Sequence, residues 1–211
     1  LIGNSTDVAA LEAAGEEGVM AMVCDSTNVF TEGESGSEAD VRDNLIELVG
    51  QQEGRVAIAA FASNVARLET AIRAGEANGR RVCLVGRSMH RMTQAAKAVG
   101  LLADCQPFIE EEEIGYFPPD KVLLLCTGSQ GEPRAALSRI AEGSHRNVTL
   151  NKGDSVIFSS RIIPGNERGI FDLMNRLAER GVKIITERDE HIHVSGHPCR
   201  DELRQMYAWA K

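Results

Sequence analysis

The sequence predicts an α/β protein, a three-layer α/β/α sandwich around a mostly parallel sheet. Two observations predict it. Short, uninterrupted apolar runs of strand length alternate with segments of helical period. A polar or glycine-containing cluster follows nearly every apolar run, as expected where strands of a parallel sheet deliver their ends to one edge. The 211 residues suffice for one large domain, residues 1–211, with no linker, repeat or low-complexity stretch dividing them.

The elements follow in order. Val19-Met20-Ala21-Met22-Val23-Cys24 reads as a buried strand. Residues 38–50 read as a helix, with Val41, Leu45 and Leu48 at helical spacing and Gly50 at its end. A second strand covers residues 55–61. Ser63 or Asn64 caps the next helix, which runs to Gly75 and turns Val65, Leu68, Ala71 and Ile72 inward. The third strand is Arg81-Val82-Cys83-Leu84-Val85, and Ser88 starts a helix ending near Gly100. Glu110 to Glu113 suit a solvated helix start, where acidic side chains meet the positive end of the dipole. Residues 121–126 form the fourth strand, and Pro133 sits near the first turn of a helix reaching Ala141. Residues 155–159 and 182–185 are the last strands, separated by a helix from Asn166 to Arg180. A final helix begins at Asp201. Repeated strand–helix–strand units imply a mostly parallel, Rossmann-like sheet with helices on both faces.

Composition narrows the function. Lys plus Arg number 23 against 31 Asp plus Glu, a formal charge of -8, which argues against a general nucleic-acid coat. A local basic groove is still compatible with it, and Arg67, Arg80, Arg81, Arg87, Arg91 and Lys97 are candidates to line one. No apolar run approaches the ~18 residues of a membrane span, and no secretory leader is visible at the start. The five cysteines form no CxxC pair, which suits buried, reduced thiols in a cytoplasmic protein.

Six polar clusters carry candidate chemistry. Asp25-Ser26-Thr27-Asn28 follows the first apolar run; its carboxylate is placed to bind metal, orient a histidine or accept from ribose, or simply to cap a turn. Phe61-Ala62-Ser63-Asn64 sits at a strand-to-helix turn, where capping explains it equally well. In Gly86-Arg87-Ser88-Met89-His90, Arg87 suits a bidentate grip on phosphate or a surface ion pair. Thr127-Gly128-Ser129-Gln130-Gly131-Glu132-Pro133 resembles an anion cradle before a helix. It is neither a P-loop, lacking Gly-Lys-Ser/Thr, nor a nucleophile elbow, since Thr127 replaces the first glycine. Ile163-Pro164-Gly165-Asn166-Glu167 reads as ordinary turn chemistry. Finally, His191-Ile192-His193-Val194-Ser195-Gly196-His197 gathers three of the five histidines. Alternation puts His191, His193 and Ser195 on one face of an extended segment, while His197 precedes a helix and suits contact with a phosphate as proton donor.

Together these segments resemble the β-CASP domain of ribonuclease J, a metallo-β-lactamase-type nuclease. They occur in the family's order and span nearly the whole chain. The resemblance implies catalytic roles for Asp25, matching the motif A carboxylate, and His197, matching the motif B histidine, beside a two-metal centre. It implies phosphate contacts at Gly128, Ser129, Ser195 and Gly196, beside Ser63 and Arg87 as candidate phosphate-binding residues from their own clusters, and an RNA substrate with a 5′-monophosphate end. It further implies a cytoplasmic parent that cleaves RNA both as a 5′-to-3′ exonuclease and as an endonuclease, with two zinc ions. The family's metal signature, His-x-His-x-Asp-His, is absent here, and its motif C histidine lies beyond Lys211. Gly3-Asn4-Ser5-Thr6-Asp7 resembles the segment just after the catalytic domain. The chain is therefore expected to be a β-CASP domain without its metallo-β-lactamase partner domain, binding no metal itself and inactive alone. One departure is the loop of residues 32–38, where the family pattern leads us to expect a proline-glycine turn.

Two other readings stand beside this one. A non-catalytic module that binds RNA or docks a partner nuclease would show the same clusters. A stand-alone dinucleotide-binding protein would need a G-x-G-x-x-G after the first strand, and none is present.

Overall fold

The structure, a computed structural model, describes residues 6–210. Gly3-Asn4-Ser5, where the resemblance to the segment after a catalytic domain begins, lies outside the described residues, as does Lys211. In chain order the elements are helices α1 (Val8–Glu17) and α2 (Glu38–Gly50), strand β1 (Val56–Ala59), α3 (Val65–Ala77), β2 (Arg81–Val85) and α4 (Arg87–Ala98). Then come β3 (Val122–Cys126), α5 (Ala136–Glu142), β4 (Ser155–Phe158), α6 (Glu167–Glu179), β5 (Lys183–Ile185) and α7 (Arg200–Ala210). They fall into two compact units: Glu38–His193, and the flanking segments up to Ser37 and from Val194 onward.

The larger unit holds one sheet of five parallel strands in the order β2-β3-β1-β4-β5. Register is set residue by residue: Val56 lies opposite Leu123 on one side and Ser155 on the other. β1, β3 and β4 are buried at every position, which explains why their sequences run apolar without alternation: both faces are covered. One face places Ala57, Cys83, Leu124, Cys126 and Val156 against Leu137 and Ile140 of α5 and Leu173 and Leu177 of α6. The opposite face meets α3, whose Gly75 packs against Val82 and Leu123, and α2 lies on α3. The sandwich thus has three layers.

Local signals account for the helices. Asn64 caps α3, its side chain accepting from the Arg67 amide at 3.1 Å, and Leu68, Ala71, Ile72 and Gly75 form its buried stripe. α2 buries Val41, Leu45, Leu48 and Val49. The four glutamates make a short 3-10 turn, Glu111–Tyr116, closed by a reciprocal capping box between Glu110 and Glu113.

Buried arginines fasten this unit internally. Arg67, 1% exposed, pairs bidentately with Glu38 (Nε to Oε1 2.6 Å, Nη2 to Oε2 2.9 Å) and also donates to the Ser159 and Ile192 carbonyls at 3.0 and 3.1 Å. Arg80 donates to the carbonyls of Gly54, Val122, Val49 and Gln52, near strand and helix ends.

In the smaller unit α1 packs on α7. Residues 18–37 are largely irregular, with a parallel bridge between Asn28 and Cys199. Ser35 replaces the expected proline-glycine turn with polar fastening: its amide donates to Glu202 Oε2 at 3.0 Å and its hydroxyl bonds the same carboxylate.

Two expectations are corrected. Residues 19–24 do not form a strand; they are irregular and exposed, with Met20 and Val23 at 102% and 100% of their reference areas. An apolar run specifies burial but not the partner, and no described strand pairs with this one. Nor do the six basic residues of the first half line one cleft. Arg67 and Arg80 are buried in the fastenings above, Arg81 donates to the Pro107 carbonyl at 3.1 Å, and Lys97 sits 4.5 Å from the Phe108 ring.

Arg67→Ala is expected to lower the unfolding free energy by about 3–5 kcal/mol in urea titration, since it leaves the Glu38 carboxylate without its countercharge and removes a donor from the Ser159 and Ile192 carbonyls. Arg176→Ala, which breaks the exposed pair with Glu142, should leave the midpoint nearly unchanged. Equal, small shifts in both variants would contradict the role given to Arg67.

Candidate functional site

The carboxyl ends of β1, β2 and β3 open onto a cavity of about 810 Å³. β1 and β3 are neighbours whose following helices, α3 and α5, cover opposite faces of the sheet, so their ends diverge and leave a crevice. Four residues singled out in the sequence meet there: Ser63 after β1, Arg87 after β2, and Gly128 and Ser129 after β3. Arg134 and Arg139 join them, with Glu132 as the carboxylate on the wall.

Two glycines shape this cavity. Gly86 has φ +114°, and a Cβ there would lie 2.5 Å from Thr127 Oγ1. Gly128 also has φ +114°, and a Cβ would fall 3.0 Å from that of Ala135 and 3.1 Å from that of Leu137. At both positions the backbone lies against neighbouring side chains too closely for a Cβ.

The source of positive potential differs from the sequence expectation. The sequence suggests a cradle of free backbone N–H groups at the turn from Thr127 to Pro133. Within that turn the Gln130 amide donates to Glu132 Oε2 at 3.0 Å and the Gly131 amide to Gly128 O at 3.2 Å, and at the start of the following helix the Ala136 and Leu137 amides donate to Thr127 Oγ1 and O at 3.2 and 3.0 Å. The cationic groups are instead Arg87, Arg134 and Arg139, together with the start of the 12-residue helix α4, whose N-cap is Gly86 with no side-chain cap. Sequence reasoning missed Arg134 and Arg139. The available signal was their position just past a glycine turn at a strand end, in and beside the helix that turn feeds.

The second assembly lies in the smaller unit. His197 Nδ1 is 2.5 Å from Asp25 Oδ2, and Asp25 Oδ1 accepts from the Thr27 amide at 2.9 Å. The hydrogen bond from His197, and after it that from Thr27, lowers the Asp25 carboxyl to a pKa of about 2. An ionised carboxylate at this distance requires the proton on Nδ1, so Nε2 of the half-exposed imidazole is free to act outward. The loop carrying His197 is pinned. Ser195 Oγ accepts from the His197 amide at 3.1 Å and from Asn28 Nδ2 at 3.0 Å, and the His197 carbonyl accepts from Asn28 Nδ2 at 3.0 Å and Ser35 Oγ at 3.1 Å. Asn28 and Ser35 are positioning residues that the sequence did not single out by role. Gly196 leaves open space beside this loop.

His193 belongs to the larger unit, with Nδ1 3.4 Å from Arg67 Nη1. Burial, and then the neighbouring Arg67 charge, push its pKa down to about 4. His191 is exposed, its carbonyl accepting from Asn44 Nδ2. Among the described residues no three His, Cys, Asp or Glu gather as a metal site.

Comparison with known proteins decides the family. The family model for the ribonuclease J β-CASP domain matches residues 53–177. The chain belongs to that β-CASP family. The matched span contains the whole cavity lining, Ala60 to Arg139. Ribonuclease J of Sinorhizobium meliloti is 51% identical over 210 residues, covering 100% of this chain and 37% of that protein. Ribonuclease J of Corynebacterium glutamicum is 46% identical, covering 99% of this chain and 29% of its own length. Ribonuclease J 1 of Streptococcus pyogenes is 39% identical, with 100% and 38% covered. The chain thus spans between 29% and 38% of these curated relatives.

Two pH responses are expected. In NMR titration the Asp25 carboxyl should titrate near 2, and in His197→Gln it should move back toward 3.8. A wild-type midpoint near 3.8 would contradict the pair. For His193 the folded-state pKa lies below the ordinary 6.5, so the unfolded chain binds the extra proton first. The stability this contributes is complete above pH 6.5 and is lost as pH falls toward 4. Denaturant midpoints of His193→Gln should be flatter over that window than those of wild type.

Proposed function

We propose that this chain, residues 1–211 acting as one β-CASP domain, is the RNA-binding part of a metal-dependent ribonuclease. The observation that carries the reading is the arginine-lined cavity at the carboxyl ends of three neighbouring strands, within the span matched to the family. Three guanidinium groups against one carboxylate give a local positive field on a chain of charge -8. Arg87 and Arg134 offer forked donors to phosphate oxygens, Ser63 and Ser129 add hydroxyls, and Gly128 keeps the backbone within reach. Such a site suits the terminal phosphate of a 5′-monophosphorylated RNA.

Asp25 and His197 take the chemical role. Asp25 holds the proton on Nδ1 and supports the imidazolium; Nε2–H then donates to a phosphate oxygen or to the leaving oxygen. Ser195 and Gly196 hold the loop and leave space for the ribose-phosphate chain. The two zinc ions of the proposed parent do not fit here, because no described residues gather to hold them. We assign them to a metallo-β-lactamase domain in the longer protein, which in this reading is a cytoplasmic 5′-to-3′ exonuclease and endonuclease. This chain alone binds RNA without cleaving it.

Fluorescence anisotropy with a short RNA tests the binding role. Arg87→Ala and Arg134→Ala should each weaken binding about tenfold and each reduce the salt slope by about one. A 5′-hydroxyl end should bind more weakly than a 5′-phosphate. Binding indifferent to salt and to both substitutions would overturn the reading. In a full-length relative, substitution of glutamine for the residue matching His197 should lower kcat by about 10²–10⁴ with little change in RNA affinity. Unchanged kcat would leave a binding module without catalytic part.

A further inference from the structure

A second cavity, of about 380 Å³, opens at the carboxyl ends of β4 and β5 and shares Ser129 with the arginine-lined one. Its floor is apolar: Phe158 and Ile170 are buried, and Met174 is partly buried in the core. Phe171, on α6, lines the same cavity while 45% exposed. The rim is charged but balanced, with Arg161 and Arg188 against Glu167 and Glu187. Among the described residues neither arginine is held in an ion pair, so their donors are available.

Both walls are built before any ligand arrives. Gln130, 6% exposed, donates from Nε2 to the Arg161 carbonyl at 2.9 Å and accepts at Oε1 from the Ile163 amide at 2.9 Å. That fixes the loop after β4. Asp189 accepts from the Thr186 amide and hydroxyl, both at 2.8 Å, fixing the turn after β5. A cavity with rigid walls loses little conformational freedom on filling.

We propose that this cavity is a nucleobase subsite for the RNA whose phosphate occupies the neighbouring cavity. The proposal rests on the phosphate reading above and adds to it. A phosphate has no reason to enter, since the rim carries no net charge and the floor is apolar. A base has both: a π-face for Phe171 and an edge for Arg161, Arg188 and Glu187. RNA presents such a group next to each phosphate, as the shared Ser129 wall requires.

The test uses this chain and a 5′-phosphorylated pentaribonucleotide, intact or with one abasic position at a time, read by fluorescence anisotropy. One abasic position should weaken wild-type binding about tenfold. Phe171→Ala should weaken the intact RNA by a similar factor and erase that abasic penalty, with the salt slope unchanged, while Phe171→Trp should retain both affinity and penalty. Normal binding by Phe171→Ala, or an abasic penalty that persists in it, overturns the subsite. If Arg87→Ala still weakens binding in that case, the phosphate reading stands; if neither substitution matters, both fall.

Discussion

The larger unit depends on one buried cation. Arg67 leaves α3 near its start and is 1% exposed, so its charge must be matched inside the protein. Glu38 supplies the countercharge from the first residue of α2. The remaining donors reach the Ser159 carbonyl and hydroxyl, just past β4, and the Ile192 carbonyl beyond β5. Ser159 Oγ in turn donates to that Ile192 carbonyl at 2.7 Å. One guanidinium therefore ties the start of a helix pair to the exit of two strands. Ser160 follows directly and accepts from Gln130, which anchors the loop after β4 against the turn after β3. The carboxyl-end loops, where parallel sheets bind ligands, are held by this chain of contacts rather than by the strands alone.

Local arrangement explains how an acidic protein offers a cationic site. Acidic side chains predominate overall, yet at the ends of β1, β2 and β3 three arginines face one glutamate. Field is set by local arrangement within a screening length of about 8–10 Å, not by net charge. The smaller unit uses a different device. There a single carboxylate, held by a backbone amide, fixes the tautomer of one histidine, and Asn28, Ser35 and Ser195 fix the loop that carries it.

Much of this was legible in the sequence, for physical reasons. Strands buried on both faces are apolar almost throughout, so β1 and β3, and β4 after Ser155, are legible as uninterrupted apolar runs. Asn64 and the stripe of Leu68, Ala71 and Ile72 specified α3 by capping and period. The Asp25 and His197 segments stood out because several polar residues crowd a short span. What failed were inferences needing a partner. The apolar run at residues 19–24 was read as a strand, but hydrophobicity does not name the surface that covers it. Arg67 and Arg80 read as groove cations in the sequence, because nothing in a linear sequence separates an arginine that bonds buried carbonyls from one that meets a ligand. Arg134 and Arg139 were passed over because their role depends on the direction in which the turn at Gly128 sends the chain.

The most direct test is to map the ligand on the protein. A ¹⁵N-labelled sample titrated with a nucleoside 5′-monophosphate should shift the amides of Gly86, Arg87, Ser88, Gly128 and Ser129 at low ligand concentration. Shifts confined to residues remote from this cavity, or none at all, would contradict the account.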